Sequence, residues 1–164
     1  MFRFEPFSQT HLALLRSWLD SDHIKDFWQE TADDEKLKYK YLVDLPRRSV
    51  WPFVILRENE PIGFIQYYEA AKVGEGWWEN EDPGTFGIDL MIGRPELVGK
   101  NLGATIIREF IAFVQQREPS AKSIIIDPDP KNTRAVRAFA KAGFHSEGEI
   151  ITPGGKVLLM RLPL

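Results

Sequence analysis

From Phe2 to Phe7 apolar and polar residues alternate, the period of a strand with one covered face. The period then lengthens, and Leu12, Leu15 and Leu19 share one face of a helix that Ser8 or Thr10 can cap. A second helix is predicted over 33–45, with acidic residues at its start. Residues 51–57 and 62–69 read as strands joined through Glu58-Asn59-Glu60-Pro61, a hairpin. Residues 71–84 hold four acidic side chains, two tryptophans and three glycines, and read as a loop long enough to line a site. In the strand at 85–92, alternation sets Phe86, Ile88, Leu90 and Ile92 on one face and Gly87, Asp89 and Met91 on the other.

The clearest helix spans 101–118, where Leu102, Ile106, Phe110 and Phe113 recur at helical spacing. The run at 123–126 is continuously apolar, as a strand covered on both faces would be, and Asp127-Pro128-Asp129-Pro130 ends it. A helix over 132–142 stops at Gly143, and strands at 144–151 and 157–162 flank a Pro153-Gly154-Gly155 turn. The order β-α-α-β-β-β-α-β-α-β-β predicts an α/β sheet with helices on both faces, antiparallel hairpins and one parallel βαβ step.

Composition narrows the function. A chain of 164 residues, 43% of them hydrophobic, fits one domain spanning 1–164. Its net charge of -3 opposes a nucleic-acid partner and leaves room for a cationic ligand. There is no cysteine, hence no disulfide, cysteine nucleophile or Cys-ligated metal. His11, His23 and His145 lack metal-ligand spacing, so no metal is expected. The start lacks the apolar core of a signal peptide, and no apolar stretch approaches a membrane span; a cytoplasmic protein with no membrane partner is expected.

Val98-Gly99-Lys100-Asn101-Leu102-Gly103-Ala104 lies between a strand and a helix. Such a turn aims backbone N–H groups outward at the positive end of the helix dipole, a setting for a pyrophosphate, and Lys100 adds charge. A loop that merely needs flexible residues would look the same. The segment resembles the coenzyme-A motif of the GNAT acetyltransferase superfamily, Gln/Arg-x-x-Gly-x-Gly/Ala, with Val98 in place of Gln/Arg and Asn101 in place of the first glycine. Asn accepts the left-handed backbone better than most residues. Asn132-x-x-Ala135-x-x-x-Phe139-x-Lys141-x-Gly143-Phe144 is similar to the helix-then-strand motif of the same superfamily.

That resemblance implies a GNAT fold: a mixed, mostly antiparallel sheet of six to seven strands flanked by about four helices, with a splayed parallel strand pair. It implies acetyl-CoA as co-substrate. Gly99, Lys100, Asn101, Leu102, Gly103 and Ala104 would take the pyrophosphate, the backbone of Leu90, Met91 and Ile92 the pantetheine amides, and Asn132 a place beside the arm or sulfur. Asn132 could equally be a helix cap.

Pro61-Ile62-Gly63-Phe64-Ile65-Gln66, Gly76-Trp77-Trp78-Glu79, Asp82-Pro83-Gly84, Gly87-Ile88-Asp89 and Asp127-Pro128-x-Pro130-x-Asn132 look like the aminoglycoside 6'-N-acetyltransferase branch. In that branch aspartates at the positions of Asp89 and Asp127 bind the acceptor, the first being the proposed base; Trp28 and Gln66 would line the pocket. Chemistry agrees, because an attacking amine must first lose a proton and a nearby carboxylate can recruit and deprotonate it. A carboxylate inside a largely apolar strand needs a partner or a cleft, whereas Asp127 could simply open a turn. Trp28 could be a core residue, Trp77 and Trp78 could anchor the loop, and Glu75, Glu79, Glu81 and Asp82 could together steer a polycation.

Phe139 stands where many relatives carry a tyrosine assigned as general acid, so no general acid is assigned. The expected reaction is direct attack in a ternary complex, by the 6'-amine of an aminoglycoside. Alternatives are a siderophore-lysine or protein amine on the same fold, or a non-catalytic coenzyme-binding module. A monomer or homodimer is expected.

Overall fold

The computed structural model describes residues 1–28, 30, 33–74 and 76–164. Seven strands hydrogen-bond in the order β1-β2-β3-β4-β5-β7-β6: β1 Phe2–Pro6, β2 Val50–Arg57, β3 Glu60–Glu69, β4 Thr85–Ile92, β5 Ser123–Ile126, β6 His145–Thr152 and β7 Gly155–Pro163. The helices are α1 Leu12–Leu19, α2 Asp22–Lys25, α3 Asp34–Tyr39, α4 Leu45–Arg47, α5 Gly103–Arg117 and α6 Thr133–Lys141. The sheet is mixed and mostly antiparallel, with β4 and β5 parallel, as a GNAT fold requires. The chain groups into two compact units, Met1–Gln66 with Leu90–Val98, and Tyr67–Asp89 with Gly99–Leu164.

In the first unit, α1 buries Leu15, Trp18 and Leu19, the stripe its spacing predicts. The short α2 carries too few residues to show a period. The predicted second helix runs as α3, a wide π-type turn at Lys40–Asp44, and α4. Pro46 explains the change of pitch: it has no N–H to give the turn before it. Asp33 caps α3 by accepting the Lys36 N–H at 3.1 Å. Glu58 and Asn59 both adopt left-handed φ values, 51° and 65°, the backbone of a tight two-residue hairpin between β2 and β3. Gly63 is obligatory there, since a side chain would collide with the carbonyl oxygen of Met91; at Gly93 it would strike the Trp18 indole. The His23 ring donates from Nε2 to the Ile92 carbonyl at 2.9 Å, which fixes its tautomer.

In the second unit, Ile124, Ile125 and Ile126 have no exposed surface, as their unbroken apolar run predicts. Helix α5 buries Ile106, Ile107, Phe110 and Val114. The alternation along β4 leaves no burial period at its start, because Thr85, Phe86, Gly87 and Ile88 are all buried and both faces are covered. Beyond them Met91 is buried while Leu90 and Ile92 are half-exposed.

Candidate active site

The parallel ladder between β4 and β5 pairs Thr85 with Ser123, Phe86 with Ile124 and Gly87 with Ile125. Alternate residues of a strand share a face, so Thr85, Gly87 and Asp89 form one row and Ser123, Ile125 and Asp127 the next. The Ser123 hydroxyl donates to Thr85 Oγ1 at 3.4 Å, which identifies the shared face. Carried two positions on, the same register sets Asp89 against Asp127. The ladder ends at Gly87 and Ile125, while β4 runs on to Ile92. Both carboxylates therefore stand where the two strands stop being laced together, at the C-terminal edge where open α/β sheets receive ligands.

Burial raises the Asp127 carboxyl well above the usual carboxylate range, and the neighbouring Asp89 charge raises it further; a hydrogen bond to its own backbone opposes both. The two aspartates thus resist being ionised together, and a cationic amine relieves that repulsion. Tyr68 forms the floor of the pair. It is 5% exposed, and a side chain at Gly87 would run into its Cζ, Cε2 and Oη atoms. Glycine at 87 is thus the space the phenol occupies. Burial, then the charges of Asp127 and Asp89, push the phenol well above its ordinary pKa, while a hydrogen bond from the buried Trp78 indole opposes them.

Two further groups complete this wall. Arg161 of β7, which pairs with Ile125, sends a fork to Glu81 at 2.7 and 3.1 Å and reaches Glu147 at 3.0 and 3.1 Å. The Glu81 hydrogen bond, ahead of the burial that opposes it, raises the guanidinium pKa beyond its ordinary value. Glu81 is therefore tied down by an ion pair. Glu79 accepts the Gly76 N–H and closes a turn, Asp82 is exposed, and Glu75 lies outside the described residues. Trp77 packs over the β6–β7 turn at Gly154, and Trp78 is buried, so both tryptophans anchor the loop.

The turn before α5 has the geometry an anion cradle needs. Gly99 and Asn101 take left-handed φ values of 76° and 60°, no side chain caps the helix at Leu102, and Lys100 is exposed. A side chain at Gly99 would meet nothing within 4 Å. Gly103 serves packing as well, since its Cβ would stand 3.2 Å from that of Ala138 in α6; Ala104 is buried. Asn132 caps α6 by accepting the Ala135 N–H at 3.2 Å. Phe139 is buried edge-on against Phe144, with ring centroids 5.4 Å apart.

In the first unit, Trp28 stacks edge-on against Phe64, centroids 5.7 Å apart, a core contact; Gln66 is half-buried in β3. Sequence reasoning missed Tyr68 and Arg161. Gly87 inside an apolar strand was the available signal for the first, because such a glycine marks a close approach. Among the described residues no group of three His, Asp or Glu side chains is arranged for a metal, and no helix is long and apolar enough to cross a membrane.

The sequence profile of the family described as acetyltransferase (GNAT) domain matches residues 8–152. An aminoglycoside N(6')-acetyltransferase type 1 of Klebsiella pneumoniae is 37% identical over 91% of this chain and 76% of its own length. The crystal structure of the aminoglycoside acetyltransferase AAC(6')-Ib in complex with coenzyme A and kanamycin superposes with a TM-score of 0.93 at 33% identity, covering 99% of this chain and 95% of the other. The lysine N-acyltransferase MbtK of Mycobacterium tuberculosis is 24% identical over 93% of this chain and 73% of its own.

Proposed function

We propose that this chain, which belongs to the GNAT acetyltransferase family, acetylates an aminoglycoside on its 6'-amine with acetyl-CoA as donor. The observation that carries the acceptor assignment is the facing pair Asp89 and Asp127, two carboxylates in one register on one face. A polyamine brings the positive charge such a pair lacks. A relative that shares this architecture over nearly its whole length binds kanamycin alongside coenzyme A.

The turn at 99–104 fits the donor's pyrophosphate through its left-handed Gly99 and Asn101, its uncapped helix end and Lys100. The backbone of Leu90, Met91 and Ile92 is assigned to the pantetheine amides, Leu90 and Met91 also holding the oxyanion, and Asn132 is assigned to the arm. Asp89 takes a proton from the incoming ammonium, directly or through water, and Asp127 holds the amine in line. The neutral nitrogen then attacks the thioester carbonyl and the carbon–sulfur bond breaks. Sulfur leaves as a thiolate, which needs no strong acid because thiols are far more acidic than alcohols. Phe139 offers no proton, consistent with that route. Trp28 and Gln66 are assigned to the outer acceptor pocket. The family match spans residues of both compact units, which supports a single domain over 1–164. A cytoplasmic monomer or homodimer acting on a small molecule is the accompanying expectation.

A thiol-release assay with acetyl-CoA tests the reading: release that depends on kanamycin or tobramycin is expected. Release with lysine derivatives or peptides alone would shift the assignment to the lysine-type acceptor, which the MbtK similarity favours. Coenzyme binding without turnover on any amine would overturn it.

A further inference from the structure

We infer that Arg134 of α6 binds the donor, its guanidinium taking a phosphate group of acetyl-CoA beside the turn at 99–104. The inference rests on the reading of that turn as the pyrophosphate cradle. The turn carries one cation of its own, Lys100, and valine stands at 98, where the motif it resembles has Gln or Arg. Coenzyme A brings a pyrophosphate and a ribose phosphate, more negative charge than one lysine offsets.

The packing of α6 on α5 sets where Arg134 stands. A side chain at Gly103, the first residue of α5, would lie 3.2 Å from the Ala138 Cβ. Five residues further along α5, Arg108 donates from Nη2 to the carbonyl of Lys141, three residues past Ala138, at 3.0 Å. The two helices therefore advance in the same sense at this contact. Arg134 lies one turn before Ala138, ~6 Å back along the axis, and so on the side from which the turn enters α5. Residues four apart share a helix face, and helical side chains tilt toward the N-terminus, which carries the guanidinium further that way.

Arg134, Arg137 and Lys141 are exposed, and α6 contains no acidic residue to neutralise them. Among the described residues no ion pair joins any of the three to a carboxylate. By contrast Arg16, Arg48, Arg94 and Arg161 each hold one. A guanidinium without a carboxylate presents a flat fork of N–H donors, the shape that meets two oxygens of a phosphate at once.

Calorimetry with CoA and no acceptor present tests this apart from any acceptor assignment. Arg134→Gln should weaken CoA about 5- to 10-fold, the loss of one exposed charge-assisted hydrogen bond, and Arg134→Lys should recover part of it. With 3′-dephospho-CoA as the probe, a loss that persists places Arg134 on the pyrophosphate, and a loss that vanishes places it on the ribose phosphate. Arg137→Gln removes the same charge from the same helix, ~4.5 Å further from the turn, and should cost less. The melting temperature of Arg134→Gln should match the parent's, because the side chain is exposed and holds no carboxylate. Equal CoA affinity in parent and Arg134→Gln overturns the inference; so does an equal loss in Arg137→Gln, the mark of a diffuse field. A parent that binds no CoA overturns the donor site and this residue with it.

Discussion

Replacing Gly87 with alanine tests the site's floor most directly. The glycine's φ is not positive, so its backbone accepts a side chain and the cost is purely steric. The new methyl would meet three atoms of the Tyr68 side chain, and that residue is 5% exposed. A buried ring cannot swing aside like the end of a lysine. Overpacking of this kind costs ~1–3 kcal/mol, and three atoms in the way argue for the upper end. For a chain of this size ~3 kcal/mol corresponds to a melting temperature lowered by ~6–12 °C. Thermal unfolding read by circular dichroism would measure it in Gly87→Ala, Tyr68→Ala and the double variant. With the ring removed, the methyl at 87 has room, so the double variant should be more stable than the summed losses by ~2 kcal/mol. A Gly87→Ala protein melting with its parent, or strictly additive losses, would refute the account. Gly99→Ala is the control: it faces open space, so only its left-handed backbone costs, ~1 kcal/mol.

Asp89→Asn should lower kcat at least ~10-fold, as loss of a base does, with coenzyme affinity by calorimetry unchanged. Unaltered turnover would remove Asp89 from the proton transfer. Asp127 gives a stability signature: its folded pKa is raised, so above the ordinary carboxylate range the folded state holds a proton the unfolded chain has lost. Stability from this group therefore falls as pH rises toward its folded pKa. Asp127→Asn should melt higher than the parent at pH 8, with the gap closing toward pH 4, and should raise KM for the amine; a gap that widens on acidification would be the wrong sign. Arg161→Lys keeps the charge but loses the fork on Glu81, and should raise acceptor KM several-fold while leaving coenzyme affinity alone. Equal KM values in parent and variant would show that the loop does not need the fork.

How far the sequence reached depended on the range of the interaction. Elements set by local pattern were legible: the isoleucine run of β5, the stripes of α1 and α5, and the cap at Asn132. The pair Asp89 and Asp127 was legible because a polar residue in an apolar strand is conspicuous, and the family resemblance supplied its partner. The Arg161–Glu81 fork was not, because its ends are 80 residues apart and an arginine in an alternating strand reads as a solvent-facing position. The faces of β4 were legible from its alternation, but burial does not follow them where both faces are covered. Tyr68 was not singled out, and the missing side chain at 87 explains its place.

Asp127 owes its aim to the proline after it. The ring of Pro128 disfavours helical backbone in the preceding residue, so the aspartate continues the extended path of β5. The Pro128 carbonyl then accepts the Leu158 N–H at 2.9 Å, stitching that path to β7 two residues beyond the strand. Side chains on an extended chain reverse sides with every residue. Inserting or deleting one amino acid between Ile126 and Pro128 would turn the acid to the far side of the sheet. This turn, though it looks like a surface loop, cannot change length as surface loops do. Engineering for a new acceptor has no freedom of length here.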